Sequence, residues 1–147
     1  MTLTDKIAII KHNYLFSSLS EENLHHIVLK TAEKEFGAQE LLIEQDSLDT
    51  SVYFIYSGSV RIYRIKDSGE ELALTVRGPG DVIGELSLFN HYRRGAMVEA
   101  IEDTRVLGLS ATDFLQVLYA YPEVSITLLQ VLSERIDELG RKLELLT

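Results

Sequence analysis

The spacing of apolar positions changes twice along the chain, and the changes divide it into helical, strand-rich and helical stretches. In the first, Ile7, Ile10 and Tyr14 fall near one face of a helix that Thr4 and Asp5 can cap. Ser20-Glu21-Glu22 then supplies an N-cap and first-turn acids for a second helix through Leu24, Ile27 and Val28. From about Phe36 to Leu109 the apolar runs become brief: Leu41 to Ile43, Val52 to Tyr56, Val60 to Ile65, Leu72 to Val76, Val82-Ile83, Met97 to Ile101 and Val106 to Leu109. That cadence predicts short strands forming a barrel or sandwich. Leu72, Leu74 and Val76 alternate with Glu71, Ala73 and Thr75, the period of a half-buried strand, so the apolar set is expected to face the core. Lys66-Asp67-Ser68-Gly69-Glu70 reads as a polar hairpin loop before it. Tyr53, Tyr56 and Tyr63 occupy strand positions and read as packing residues.

Ser110-Ala111-Thr112-Asp113 opens a helix in the manner of a capping box, with Asp in place of Glu or Gln, and Tyr121-Pro122 breaks it. A longer helix follows. On it Leu132, Ile136, Leu139, Leu143 and Leu146 are spaced by four, three, four and three residues, a seam of about two heptads. Such a seam can pair with a second helix or cover the barrel.

A chain of 147 residues, 46% hydrophobic and 25% charged, suits one domain with a sizeable core. The formal net charge of −9 argues against a nucleic-acid surface, which carries a basic patch for phosphate contacts. There is no cysteine, which excludes disulfides, thiolate nucleophiles, cysteine-ligated clusters and cysteine-rich zinc sites. The start, Met1 to Lys6, has no basic region followed by an apolar run, and nowhere do 18 uncharged apolar residues occur together, so a cytoplasmic protein is expected. His25 and His26 are adjacent on a helix, about 100° apart, and do not form the same-face pair that zinc sites use. His12 and His91 read as surface or capping residues, and no metal site is expected. Gly78-Pro79-Gly80 is a turn without the Gly-Lys-Ser/Thr ending of a phosphate loop. No nucleophile-base-acid order stands out, and a metal-dependent jelly-roll cupin, the leading enzymatic rival, would need a His-x-His cluster that the sequence lacks.

Candidate chemistry is concentrated in Gly84-Glu85-Leu86-Ser87-Leu88-Phe89 and Arg93-Arg94-Gly95-Ala96-Met97-Val98. A cyclic phosphodiester nucleotide presents one diffuse negative charge, ribose hydroxyls and a flat base. Arg94 can fork two charge-assisted hydrogen bonds to such a phosphate, each worth about 1.5–3 kcal/mol net. Glu85 can accept from a ribose hydroxyl, and Gly84 and Gly95 let backbone N–H groups approach an anion closely. Taken singly these residues are less telling: an arginine in a strand-rich chain is more often on the surface, and glycines often just make turns.

In its setting the segment resembles the phosphate-binding cassette of the cyclic nucleotide-binding domain family. Leu15-Phe16-Ser17-Ser18-Leu19-Ser20, Val52 to Tyr63 through Ser57-Gly58-Ser59, and Gly78-Pro79-Gly80-Asp81-Val82-Ile83-Gly84-Glu85 look like the family's further landmarks, in its order and over almost the whole chain. The resemblance implies a mostly β fold, a double-stranded β-helix jelly-roll barrel of eight strands with N-terminal helices and two C-terminal helices. Residues 1–147 then form one domain: about 1–35 N-terminal helices, 36–109 the barrel with a cassette at 84–98, and 110–147 the C-terminal helices. It further implies a regulatory module that binds cyclic AMP or cyclic GMP without altering it, with no enzymatic activity, no cofactor and no metal.

Carried over position by position, the ribose-binding glutamate falls on Glu85, the phosphate arginine on Arg94, and the backbone donors near Leu86, Ser87, Gly95 and Ala96, with Gly84 at the turn. Arg93 is an exposed neighbour. Leu74, Thr75, Ile83 and Leu139 are candidate lining of the pocket, and Leu86, Leu88 and Phe89 are expected to pack inward. Gln39 and Gln45 stand where the family has turn glycines, and Gly95 replaces a common serine, threonine or alanine, which removes a hydroxyl contact to the phosphate. Leu139 and Gly140 fall where the catabolite-activator type has hydroxyl residues that contact the base; Arg135, Glu138 or Arg141 are the possible substitutes. The long helix is expected to close over the ligand, form a homodimer and signal to an effector protein. The chain ends at Thr147 without a helix-turn-helix segment, so no direct nucleic-acid binding is expected, and with no long uncharged apolar run no membrane contact is expected either. A sensor piece of a longer transcription regulator and a ligand-free dimerisation scaffold are the alternatives.

Overall fold

The computed structural model describes every residue except Asp49 and Tyr92. Helix α1 spans Leu3–Lys11 and is capped by Thr2, two residues before the expected Thr4. The hydroxyl of Thr2 accepts from the Asp5 amide while the Asp5 carboxylate accepts from the Thr2 amide, so a reciprocal capping box satisfies two end donors at once. Helix α2, Glu21–Val28, starts at Ser20 as expected and buries Leu24, Ile27 and Val28.

Among the described residues eight strands follow: β1 Ala32–Phe36, β2 Leu41–Ile43, β3 Ser51–Ser57, β4 Val60–Ile65, β5 Glu71–Arg77, β6 Val82–Ile83, β7 Met97–Ala100 and β8 Thr104–Ser110. They form two four-stranded sheets of order β1-β8-β3-β6 and β2-β7-β4-β5, with every pairing antiparallel. That order is the jelly roll. β1 begins inside the stretch expected to be helical. It lies at a sheet edge, pairs with β8, and carries Glu33-Lys34-Glu35, charges that blunt an edge and hide the apolar period.

The first sheet is covered on both faces. Val52, Phe54, Val82, Leu107 and Leu109 pack with Phe16, Leu24, Phe114 and Leu128 of the helical layer, whereas Tyr53, Ile55, Ile83 and Val106 meet Ile43, Val60 and Val98 of the second sheet. This two-sided burial makes the Val52 to Ile55 run continuously apolar. Tyr53 and Tyr63 are buried and Tyr56 is half-buried, in keeping with packing roles.

The expectation for β5 is corrected. Leu72, Leu74 and Val76 are all exposed, because β5 is an edge strand and its register against β4 shifts between Ile62 and Tyr63, leaving Leu74 without a partner. Beneath this strand lies a cavity instead of core. The hairpin loop before it forms as expected, closed by Lys66 N–H donating to the Glu70 carbonyl.

Helix α3, Ala111–Ala120, is capped by Ser110, and Tyr121 separates it from α4, Pro122–Leu145, at a bend of 106°. Val124 and Leu128 anchor the start of α4 in the core and Leu132 packs against it, but Ile136, Leu139, Leu143 and Leu146 are exposed. Among the described residues no single helix is long and apolar enough to cross a membrane.

Candidate functional site

β6 leads into Gly84, whose φ of +90° turns the chain into a short 3-10 turn, Leu86–Phe89. A β-carbon at Gly84 would lie 2.7 Å from Nη1 of Arg94 and 2.8 Å from the Ser51 carbonyl, so both the backbone conformation and the space demand glycine. Arg94 is only 2% exposed. Its Nη1 donates to the Gly84 carbonyl and to Oγ of Ser87, both at 2.8 Å, and its Nη2 donates to the Ser51 carbonyl. Its backbone is pinned as well: Arg94 N–H donates to the Ser47 carbonyl at 3.1 Å, and Asp46 N–H donates to the Arg94 carbonyl at 2.8 Å. Of the two positions expected at turn glycines, Gln39 adopts the left-handed conformation at φ 72°, whereas beside Gln45 it is Asp46 that does so, at φ 65°. Asp tolerates that conformation better than most side chains.

Glu85 is 3% exposed and follows directly on Gly84. Nη1 of Arg135, from α4, lies 3.6 Å from its Oε1. Burial pushes the Glu85 carboxyl above its ordinary range, and its own backbone amide, Arg135, Arg77 and Arg94 pull it back only in part. The Tyr14 hydroxyl feels the same site: burial, then the charge of Glu85, pushes it up to about 12.

These groups border a cavity of about 590 Å³ between the second sheet, the Gly84 turn and α4. Gly84, Glu85, Leu86, Ser87, Arg94, Gly95 and Ala96 all line it, and so do Leu74, Thr75, Ile83 and Leu139. The expected ligand-binding and pocket-lining positions are therefore brought to one place. Of the three suggested base contacts, Arg135 and Glu138 border the cavity, while Arg141 pairs with Asp137 at 2.9 Å on the exposed side of the helix. The inward packing of the 3-10 turn is corrected: Leu88 is buried, but Leu86 is 55% and Phe89 59% exposed. A single turn with three residues per repeat cannot aim three apolar side chains at one core.

Arg64 on β4 and Arg77 on β5, which no sequence motif marks, also line the cavity. Their signal is strand alternation, since Arg64 follows Ile62 and Arg77 follows Thr75 by two residues, and all four border the same space. Arg77 donates from Nη1 to Oγ1 of Thr75 at 3.1 Å. Chemically the cavity offers a buried acceptor, several guanidinium donors and apolar walls from Ile43, Ile62 and Val98, a set suited to holding an anion with a flat apolar portion.

Residues 33–121 match the cyclic nucleotide-binding domain family. The chain is 30% identical over 138 residues to the cyclic AMP receptor protein of Thermus thermophilus, covering 94% of this chain and 64% of that protein. The crystal structure of the Thermus thermophilus catabolite activator protein matches with a TM-score of 0.81 at 30% identity, over 91% of this chain and 63% of that one. The regulatory domain of Toxoplasma gondii PKA, co-crystallised with cAMP, matches with a TM-score of 0.70 at 30% identity, over 78% and 44%. The chain thus spans less than two thirds of the length of these relatives. Because the match runs through the strands and the turn that bring Glu85 and Arg94 together, the chain belongs to the cyclic nucleotide-binding domain family.

Proposed function

We propose that this chain is a regulatory module that binds cyclic AMP or cyclic GMP in the cavity and passes occupancy to a partner protein through α4, without altering the ligand. The observation that carries the reading is the joint burial of Glu85 and Arg94 on the wall of one cavity. Glu85 accepts from a ribose hydroxyl. Arg94 donates to the cyclic phosphate, assisted by backbone N–H groups of the turn and of Gly95 and Ala96. Leu74, Thr75, Ile83 and Leu139 face the sugar and base.

The link to α4 is Arg135. It reaches Glu85 from the helix, so a ribose hydroxyl that engages Glu85 shares that carboxylate with α4 and changes the hold on the helix. The exposed Leu129, Ile136 and Leu143, seven residues apart on α4, support a homodimer along that helix. The net charge of −9 supports a protein as the downstream partner, and we place the module in the cytoplasm with no direct contact to nucleic acid or membrane.

Thermal unfolding tests the reading. A nucleotide at one hundred times its dissociation constant stabilises the folded state by about 2.7 kcal/mol. The expected result is a raised melting temperature with 3′,5′-cyclic AMP or cyclic GMP and none with inorganic phosphate; no shift with either nucleotide at millimolar concentration contradicts the proposal.

A further inference from the structure

The cavity carries more positive charge than one phosphodiester monoanion requires, and one of those charges is placed to act on it. Arg64 sits on the same face of β4 as Ile62, and both line the cavity. A β-carbon built on Gly95 would lie 3.9 Å from Nη1 of Arg64, so the guanidinium hangs beside the residue that follows Arg94, in space a side chain at 95 would share. Arg61, three residues earlier, pairs with Glu71 and Glu99, and Arg135 pairs with Glu85. Among the described residues Arg64 has no such carboxylate.

The strand end that carries Arg64 is held in place. The side-chain amide of Gln45 accepts from Ile65 N–H at 2.7 Å and donates to the Ile65 carbonyl at 3.2 Å, the two bonds that a neighbouring strand would make. The Gln45 N–H in turn reaches Sδ of Met97 at the start of β7, 3.0 Å away. Glutamine at 45 and glycine at 95 therefore act on the same residue: one fixes the backbone next to Arg64, and the other leaves its guanidinium room.

We propose that Arg64 is a second phosphate-binding residue, which caps from β4 the anion that Arg94 holds from inside the cavity and fills the place that Gly95 leaves open. The inference rests on the reading of the cavity as a cyclic nucleotide site and deepens it. The ligand's phosphodiester lies between two guanidiniums on opposite sides, one buried and one at the mouth, so recognition is weighted towards the anion. Arg64 is exposed, and removing its charge leaves the core untouched.

The test is calorimetric titration of the full chain with 3′,5′-cyclic AMP and cyclic GMP at low and high salt, comparing the parent with Arg64→Gln, Arg64→Lys, Gly95→Ser and the Arg64→Gln/Gly95→Ser double variant. Arg64→Gln keeps most of the stem, so folding is preserved, and melting curves verify this. The expected result is that Arg64→Gln weakens binding on the order of tenfold and flattens its salt dependence. Arg64→Lys recovers part of the loss, and Gly95→Ser improves binding in the Arg64→Gln background more than in the parent, because its hydroxyl then reaches the vacated space. Affinity of Arg64→Gln within about twofold of the parent, with an unchanged salt slope, overturns the inference and leaves Arg94-dependent nucleotide binding standing. Absence of binding by the parent overturns both.

Discussion

Arg94 and Glu85 are buried charges with different kinds of company. Arg94 already donates to two carbonyls and a serine hydroxyl, so it holds the Gly84 turn against β3 as well as facing the cavity. Arg94→Ala is therefore expected to have two effects. Loss of a donor to buried acceptors lowers stability by about 1–3 kcal/mol in urea unfolding, and ligand affinity falls by about 2–5 kcal/mol because the phosphate loses its buried partner. Gly84→Ala forces a β-carbon into Arg94 at a positive φ and is expected to cost about 1–3 kcal/mol or more, so near-parental stability would count against the close approach described here. Glu85 gives a pH signature. Its folded-state pKa lies above its unfolded value, so between the two the folded chain binds more protons and stability falls as pH rises. Relative to Glu85→Gln, the parent is expected to gain stability as pH is lowered from neutral towards the ordinary glutamate range, and a pH-independent difference would refute the raised pKa. Glu85 and Arg94 were legible in the sequence because they lie nine residues apart with their glycines around them. Arg64 and Arg77 were not, since each is a single charge on a strand and acquires its place only through the pairing of β4 with β5 and β7.

At the scale of elements, the strands with buried neighbours on both faces were the ones the apolar runs disclosed, β3 and β8 above all. β1 is hidden in the sequence because an edge strand with alternating charges carries no apolar period, and in β5 a bulge and a cavity break the link between alternation and core. The cap at Ser110 and the break at Tyr121-Pro122 are local features and both form, although Ser110 accepts from the Asp113 amide without the reciprocal bond of a capping box and the Asp113 carboxylate lies 3.7 Å from Lys30. α4 is fastened at its start by Val124 and Leu128, and farther along it reaches the barrel through Arg135. Arg135→Ala is expected to raise hydrogen exchange in α4 from about Leu132 onward while leaving α3 and the sheets protected. Unchanged protection along α4 would mean that the Glu85 contact does not hold the helix.

Across the whole molecule, a chain of net charge −9 lines one cavity with Arg64, Arg77, Arg93, Arg94, Arg135 and Lys142 against Glu85 and Glu138. Such a field draws anions to one place and repels them elsewhere, and association is expected to slow as salt is raised. The exposed apolar seam of α4 belongs to the same scale. Leu143→Lys is expected to shift sedimentation from dimer to monomer without changing the melting curve at low concentration, and a monomeric parent would remove the helix as an interface. Binding of a cyclic nucleotide in the cavity through Arg94 is measured by calorimetric titration with 3′,5′-cyclic AMP and cyclic GMP, parent beside Arg94→Ala. The expected result is micromolar or tighter binding of at least one nucleotide, about −8 kcal/mol, lost in the variant. Folded parent protein that binds neither, or a variant that binds as well as the parent, would contradict it.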